Sequence, residues 1–289
     1  MLNYPPDHPM SSSAIVDKAR AREGALHARL QEFGSVVVAY SGGVDSTFLA
    51  VTAAKVLGTR ALAVTADSPS MPRRRLAEAC EWARRLGFMH RVISTREMDD
   101  AAYVANRPDR CFHCKREVFG RLTLLARAEG FAVVLDGANA DDRDDYRPGS
   151  EAARELGVRS PLQDLGFTKA EIRALSRAQG LPTADQPASA CLASRLPYGT
   201  PLTPEALARV ERAEDALADL GFRQVRVRAH DEMARIEIAP EEMRRLLDAS
   251  LRQKAAEAVS ACGFRYVALD LLGYRTGSLN EGLARPSGA

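Results

Sequence analysis

The chain has 289 residues, of which 46% are apolar, and a formal net charge of +2 at pH 7. This composition is typical of a globular protein, and the length favours two domains. A charge so close to neutral does not by itself indicate a nucleic-acid or membrane-surface partner. No apolar run approaches the ~18 residues of a membrane helix. The segment from Tyr4 to Ser13 is polar and proline-rich rather than a signal peptide, so we predict a cytoplasmic protein.

Apolar strands alternate with helical patterns through the first 180 residues. The sequence predicts a helix over 13–33 and then four strands, with helices over 45–57, from Pro72 onward and over 111–128 between them. The four strands are SVVVAY, ALAVTA, HRVIS and FAVVLDG. This alternation indicates an α/β fold in which helices flank both faces of a parallel sheet. Ligands of such folds bind at the carboxyl ends of the strands.

A smaller α+β domain is predicted near the end of the chain. It follows the loop LPTADQPASACLASRLPYGTP, which is rich in Pro, Ser and Ala and has no periodicity. A helix over 204–220, the strands QVRVRAH and ARIEIA, a helix over 241–260 and the strand FRYVALDLL come next. We therefore predict an α/β domain over 1–199 and a substrate-binding α+β domain over 200–289.

The stretch AYSGGVDSTFLA, residues 39–50, follows the first strand and opens a helix. Free N–H groups and the helix dipole attract anions at such a position. Gly42 and Gly43 allow the backbone to come close to a phosphate. Hydroxyl donors are available from Ser41, Ser46 and Thr47. The stretch matches neither GxxxxGK[ST] nor GxGxxG. A tight turn that needs glycine for its geometry alone is the alternative.

A second polar segment, DGANADDRDDYRPG, begins at the end of the fourth strand. It carries five aspartates within ten residues, Asp136 to Asp145, which a packed core would not accept. A site for a nucleotide and a metal ion and a solvated acidic turn both remain open on this pattern.

The chain contains five cysteines, and an odd number without a leader indicates reduced thiols. The CxxC of RCFHCK fits a redox pair, a zinc site or cluster ligands. Cys111, Cys114 and Cys191 together suit a [4Fe–4S] cluster with one open iron. The alternative is that the CxxC only packs and Cys191 alone is functional. Cys80 and Cys262 lie in apolar helical patterns and are predicted to be buried.

SGGVDST resembles the SGGxDS motif of the PP-loop, or N-type ATP pyrophosphatase, superfamily. This resemblance implies that ATP is cleaved between its α and β phosphates, which gives an adenylated substrate and pyrophosphate. It implies phosphate contacts for Ser41, Gly42, Gly43, Asp45 and Ser46, a Mg²⁺ contact for Asp45, and adenine packing at Ala63. DGANADD resembles the GTNxDD segment of the superfamily, which implies nucleotide or Mg²⁺ contacts for Gly137, Asn139 and Asp141, and a phosphate contact for Arg147.

Four stretches, SGGVDST, RCFHCK, ACLASRLPYG and LDLLGYRTGSLNE, together resemble the LarE family of ATP-dependent sulfur transferases. The resemblance covers residues 13–283. The family acts in making the nickel-pincer nucleotide cofactor of lactate racemase. The resemblance implies adenylation of a carboxylate of pyridinium-3,5-dicarboxylate mononucleotide, followed by displacement of AMP by sulfur. It also implies a homo-oligomer.

Two kinds of sulfur donor occur in this family. One kind sacrifices a cysteine that matches Cys191 and converts it to dehydroalanine. The other kind has three cysteines that match Cys111, Cys114 and Cys191, and they hold a [4Fe–4S] cluster. Because this chain has all three cysteines, we favour the cluster and keep donation from Cys191 as the second hypothesis.

The second domain is predicted to bind the anionic substrate. Arg226 and Arg228 are two residues apart on a strand and so share a face, and the resemblance implies that they hold the substrate phosphate. Without the resemblance, an exposed charged strand face would be the preferred interpretation. Ser194 and Arg195, which follow Cys191 closely, are expected to orient the adenylate. Further substrate-binding residues are expected at Glu211, Glu214 and Glu237.

Two other classes of protein also fit a phosphate loop of this kind. A tRNA thiolase would need to grip RNA, but the charge is nearly balanced, aromatic residues are few and a zinc-ribbon pair of CxxC motifs is missing. A nucleotide sensor or an iron–sulfur carrier would bind ATP without chemistry. Pyrophosphate release distinguishes these two classes from a sulfur transferase of the LarE kind. A sensor would release none, and a thiolase would release it only with RNA.

Overall fold

The computed structural model describes residues 12–143, 148–187, 190–275 and 279. These residues form two compact units. The first unit consists of the described residues within Met1–Asp67, Arg73–Thr95 and Cys111–Ala188. The second consists of those within Ser68–Pro72, Arg96–Arg110 and Ser189–Ala289. The limits 1–199 and 200–289 remain a prediction about domains, and the compact units divide the chain differently.

The first unit contains a four-stranded sheet. Its strands are β1 (Val36–Ala39), β2 (Ala61–Asp67), β3 (His90–Ser94) and β4 (Val133–Leu135), in the order β3-β2-β1-β4. Every pairing in this sheet is parallel, which confirms the predicted parallel sheet. Two short segments of the second unit, Ser68–Pro72 and Arg96–Arg110, leave the first unit shortly after the ends of β2 and β3. The α/β pattern is therefore interrupted by residues that pack elsewhere.

The helices follow the predicted alternation. They are α1 (Ser12–Phe33), α2 (Val44–Leu57), α3 (Arg73–Leu86), α4 (Ala101–Val104), α5 (Arg110–Glu129), α6 (Pro148–Glu155), α7 (Pro161–Asp164), α8 (Lys169–Ala178), α9 (Pro204–Asp219) and α10 (Ala249–Ala261). Within the described ranges, every helix is too short or too polar to cross a lipid bilayer.

Two hydrophobic clusters cover the two faces of the parallel sheet. Val36 and Val38 of β1 belong to a cluster that also holds residues of α1, α2 and α8. Val37, between them, belongs to a second cluster with Phe119 and Leu122 of α5. Successive residues of a strand point to opposite faces, so β1 is buried on both sides. This explains why its sequence is continuously apolar rather than alternating.

The second unit contains a three-stranded mixed sheet. Its strands are β5 (Val225–His230), β6 (Met233–Ile238) and β7 (Tyr266–Leu269), in the order β5-β6-β7. The β5–β6 pair is antiparallel and the β6–β7 pair is parallel. The helix predicted over 241–260 is wrong in its first part, because Pro240–Leu247 forms a 3₁₀ helix. Helix α10 begins only after Asp248, whose side chain accepts a hydrogen bond from Leu251 N at 2.7 Å.

Candidate functional site

The phosphate loop joins β1 to α2 in the first unit. Gly43 is the N-cap residue of α2, and Gly42 before it has a φ of +71°. A Cβ atom on Gly42 would lie 2.9 Å from Cβ of Ala79 in α3. Glycine is therefore required here both by the backbone conformation and by the space available. The loop ends at a helix N-terminus, which is a favourable place for a phosphate.

The hydroxyl of Ser46 holds this loop in its curled form. It accepts a hydrogen bond from Ser41 N at 3.2 Å and donates one to Gly43 O at 3.1 Å. Ser41 Oγ lies 3.2 Å from the same oxygen. Thr47 and Ala63 are both buried, at 0% and 3% exposure, and Ala63 packs in the core with Val36. Their predicted nucleotide contacts remain predictions.

The acidic segment after β4 lies against the start of α2. A Cβ atom on Gly137 would be 3.0 Å from Ser46 N. Beyond it, Asn139 caps the 3₁₀ turn Ala140–Asp142, since its Oδ1 accepts a hydrogen bond from Asp141 N at 3.0 Å. The structure thus brings two predicted nucleotide-binding segments together at the carboxyl ends of β1 and β4. Arg147 lies outside the described residues.

Lys169, the first residue of α8, connects the two carboxylates predicted to hold Mg²⁺. Its Nζ donates to Asp45 Oδ2 at 2.5 Å, and its backbone N–H donates to Asp141 Oδ2 at 2.9 Å. Lys169 was not among the site residues predicted from the sequence. The Thr168–Glu171 capping box marks a helix start there, but no local pattern indicates a partner 124 positions away in the chain.

Among the described residues, only one of the two carboxylate oxygens of Asp45 has a hydrogen-bond partner. Its Oδ1 atom is buried and has no hydrogen-bond partner among them. Burial raises the pKa of Asp45 above its usual value, although Lys169 opposes that shift. A buried carboxylate oxygen without a donor suits a hard cation such as Mg²⁺, which binds one or two carboxylates and completes its shell with waters and phosphates. No group of three or more His, Cys, Asp or Glu side chains suited to a metal occurs in the described part of the chain.

The cysteines occupy both units. Cys111 and Cys114 are the second and fifth residues of α5, and residues three apart share a helix face. Cys111 is exposed, whereas Cys114 and Cys191 are half-buried. Cys80 and Cys262, which the sequence predicts to be buried, are also only half-buried. None of the five cysteines forms a disulfide in the described structure, and the iron–sulfur cluster remains a hypothesis.

Hydrogen bonds in the second unit hold the backbone around Cys191. The carbonyl oxygen of Cys191 accepts from Ser194 Oγ at 2.8 Å and from Arg195 Nη1 at 2.9 Å. Leu192 N donates to Ser70 O at 2.8 Å. The residues predicted to orient the adenylate therefore also fix the loop that carries the candidate sulfur donor.

Arg195 is almost completely buried, with 1% of its surface exposed, and forms a two-point ion pair with Glu214 of α9. The distances are 2.8 Å for Nε–Oε1 and 2.9 Å for Nη2–Oε2. Burial alone would lower the pKa of Arg195, but the carboxylate of Glu214 raises it above its usual value. Glu214 also accepts from Val227 N of β5 at 2.9 Å. Arg195 and Glu214 thus join the Cys191 loop, α9 and β5. Glu211, also on α9, is half-buried.

Charged side chains cover one face of the β5–β6 hairpin. Arg226 lies opposite Glu237 in the register, and Arg228 lies opposite Arg235. Arg228 is buried and pairs with Glu237 through two contacts of 3.0 Å, and Arg235 Nη2 approaches the same carboxylate at 3.1 Å. Arg226 lies over the ring of Tyr274 at 5.3 Å, and burial lowers its pKa. The shared face is confirmed, but Arg228 is buried rather than part of an exposed strand face.

A pocket of about 200 Å³ opens on this side of the second unit. It is lined by Arg195, Pro197, Tyr198, Arg228, His230, Arg235 and Leu279. Three of its lining residues are arginines, the residue type that suits phosphate and carboxylate ligands. Burial, with Arg235 as a second cause, lowers the pKa of His230 and favours its neutral form.

Comparisons with known proteins show which proteins this chain resembles. The family described as Asparagine synthase matches residues 20–143, which include the phosphate loop and the first part of the acidic segment, as far as Arg143. The chain is 45% identical to an uncharacterized protein of Synechocystis sp., over 91% of this chain and 99% of that protein. It is 28% identical to an uncharacterized protein of Methanocaldococcus jannaschii, over 83% of this chain and 91% of that protein.

A further relative is named. The chain is 37% identical to the pyridinium-3,5-bisthiocarboxylic acid mononucleotide synthase of Lactiplantibacillus plantarum, over 91% of this chain and 95% of that protein. At this identity and coverage, the chain belongs to the LarE family of ATP-dependent sulfur transferases.

Proposed function

We propose that this protein inserts sulfur into the carboxylates of pyridinium-3,5-dicarboxylate mononucleotide and converts them to thiocarboxylates. The observation that carries the proposal is the similarity, along nearly the whole of both chains, to the relative named pyridinium-3,5-bisthiocarboxylic acid mononucleotide synthase. The phosphate loop and the arginine-lined pocket support it, because the reaction needs one place for ATP and another for an anionic substrate.

Adenylation supplies the chemical driving force in this proposal. A carboxylate is a poor electrophile because its charge repels nucleophiles and oxide is a bad leaving group. Attack of the carboxylate on the α-phosphate of ATP releases pyrophosphate and gives an acyl adenylate, from which AMP departs readily. The phosphate loop, with Ser41, Gly42, Gly43 and Ser46, would hold the β and γ phosphates. Asp45 and Asp141 would hold Mg²⁺, which neutralises phosphate charge when bound.

Sulfur then has to reach the acyl carbon as an anion, since the thiolate and not the thiol is the nucleophile. Our first hypothesis is a [4Fe–4S] cluster held by Cys111, Cys114 and Cys191, which would supply metal-bound sulfide. The second is attack by the Cys191 thiolate itself. In that case, loss of a proton from Cα and cleavage of the Cβ–S bond release the thiocarboxylate and leave dehydroalanine.

The second unit would position both the loop that carries Cys191 and the substrate. Arg195 and Glu214 hold the Cys191 loop, and the pocket beside Arg228 and Arg235 would receive the phosphate or the second carboxylate of the substrate. Glu237 keeps Arg228 and Arg235 in place through its buried carboxylate. Ser194, Arg226 and Glu211 are proposed to contact the substrate as well.

The decisive experiment measures pyrophosphate release by protein purified without oxygen, with and without the pyridinium substrate. We expect release that depends on the substrate, together with a product of thiocarboxylate mass. Release that depends on RNA would favour a tRNA thiolase, and no release under any condition would favour a sensor. Either result would refute the proposed activity.

The sulfur source is tested on the same samples. About four irons and four sulfides per chain, with an unchanged chain mass after turnover, would support the cluster. No iron and a loss of about 34 Da at Cys191, as sulfur leaves with two hydrogens, would support donation from the cysteine. Cys191→Ser should abolish product under both hypotheses, whereas the control Cys262→Ser, which changes a half-buried thiol in the second unit, should retain it.

A further inference from the structure

Lys169 lies beside the two carboxylates that are predicted to hold Mg²⁺. Its ammonium group pairs with Asp45, and the two side chains are 32% and 20% exposed. A pair at this depth can exchange with an ion from solvent, because neither group is sealed in the core. Lys169 also donates its backbone N–H to Asp141 Oδ2 at 2.9 Å. One residue therefore touches both carboxylates that the proposed function assigns to Mg²⁺.

The position of Lys169 is fixed by the start of α8. Thr168 Oγ1 accepts from Glu171 N at 3.3 Å, and Glu171 Oε2 accepts from Thr168 N at 2.9 Å. This reciprocal cap places Lys169 in the first turn of the helix. The side chain, in contrast, carries a flexible four-carbon stem and can move its charge by several ångströms without disturbing the cap.

Lys169 alone does not provide hydrogen-bond partners for both carboxylate oxygens of Asp45. Lys169 satisfies Oδ2, while the buried Oδ1 has no partner among the described residues. A bound metal ion would satisfy that oxygen, but it would also repel the ammonium group a few ångströms away. The nucleotide resolves this conflict, because its phosphates offer the ammonium group another anion.

We propose that Lys169 is an exchangeable counter-ion. It neutralises Asp45 in the absence of metal, competes with Mg²⁺ for that carboxylate, and releases it when the ion arrives with nucleotide phosphates. This inference rests on the proposed function, which supplies the Mg²⁺–ATP ligand. Metal and nucleotide binding are then coupled, and the coupling acts equally in both directions.

The test measures Mn²⁺ binding by the loss of its free electron paramagnetic resonance signal, first with Mn²⁺ alone. We expect Lys169→Met to bind Mn²⁺ at least about threefold more tightly than the unmodified protein, because a competing charge is removed. Lys169→Arg keeps the charge and should resemble the unmodified protein. The matched control is Lys55→Met, which removes a lysine that donates only to Gln179 Oε1 in the described structure. It should leave Mn²⁺ affinity unchanged.

The second arm adds α,β-methylene-ATP, which resists cleavage between the α and β phosphates. After subtraction of the Mn²⁺ that the nucleotide binds without protein, the nucleotide should strengthen Mn²⁺ binding to the unmodified protein by a larger factor than it does for Lys169→Met. If Lys169→Met binds Mn²⁺ alone no better than Lys55→Met, Lys169 has only a structural role and the inference fails. If none of the four proteins binds Mn²⁺ even with nucleotide, Asp45 is not a metal ligand and the inference fails as well.

Pyrophosphate release by the unmodified protein is measured on the same preparation. Substrate-dependent release without the Mn²⁺ pattern would leave the proposed function standing and remove the counter-ion. The expected Mn²⁺ pattern without pyrophosphate release would support the counter-ion role of Lys169 and refute the proposed function.

Discussion

The substitution Gly42→Ala tests whether the phosphate loop is as tightly constrained as its geometry indicates. Two separate costs follow from the structure. Gly42 has a φ of +71°, and an L-residue in this region costs about 1–2 kcal/mol. The added methyl group would also lie 2.9 Å from Ala79 Cβ and 3.2 Å from its Cα atom. An overpacked contact with backbone costs a further 1–3 kcal/mol or so.

Gly34→Ala provides a matched control in the same unit. Gly34 has a φ of +74°, but a Cβ atom there would meet nothing within 4 Å. The control therefore has the conformational cost and not the steric one. We expect Gly42→Ala to lower the free energy of unfolding by about 1–3 kcal/mol more than Gly34→Ala does.

Urea unfolding followed by tryptophan fluorescence measures this difference. The only tryptophan, Trp82, lies on α3 in the first unit, so its signal reports the unfolding of the unit that contains Gly42 and Ala79. Pyrophosphate release should be lost in Gly42→Ala and retained in Gly34→Ala. Equal destabilisation by the two substitutions would refute the reasoning. It would mean that α3 can shift to accommodate the methyl group without any loss of folding free energy.

Two further predictions concern buried carboxylates. Glu237→Gln should lower the free energy of unfolding by about 3–5 kcal/mol in circular dichroism, because it removes the only carboxylate bridging Arg228 and Arg235 in the described structure. Glu81→Gln, which breaks an exposed helix pair, should cost under about 1 kcal/mol, and equal effects would contradict the burial argument. Asp45→Asn should abolish pyrophosphate release and yet stabilise the fold at neutral pH. Burial raises the folded pKa of Asp45 above its unfolded value, so the stability of the neutral form is present at low pH and lost as pH rises through the folded pKa. The advantage of the variant should vanish in acid, and an advantage independent of pH would contradict the assignment.

The alternation of elements was readable from the sequence because it depends on local properties. The continuous apolar run at β1 predicts burial on both faces, and the structure divides Val36 and Val38 from Val37 accordingly. The helix over 241–260 was the weaker prediction, since its periodicity does not distinguish a 3₁₀ helix from an α-helix. Asp248 decides where α10 begins through one capping hydrogen bond.

The candidate site also has features that can be recognised in the sequence and features that only the structure reveals. SGGVDST, the CxxC and Cys191 are visible in the chain as residues whose types carry chemistry. Their family follows from short motifs, and the similarity to the named relative confirms it. What the sequence left open was the use of each charge. Burial in ion pairs with Glu214 and Glu237 could not be read from the positions of Arg195 and Arg228 in the sequence.

The sequence by itself thus determined the fold class, the phosphate loop and the family, because these rest on periodicity and on residues close together in the chain. Only the tertiary structure decided that Lys169 pairs with Asp45, or that Glu237 neutralises two arginines. Such partners are chosen by burial, since a charge removed from water must find its counter-ion wherever the packing places one. The lysine and the aspartate are 124 residues apart, and no local pattern records that pairing.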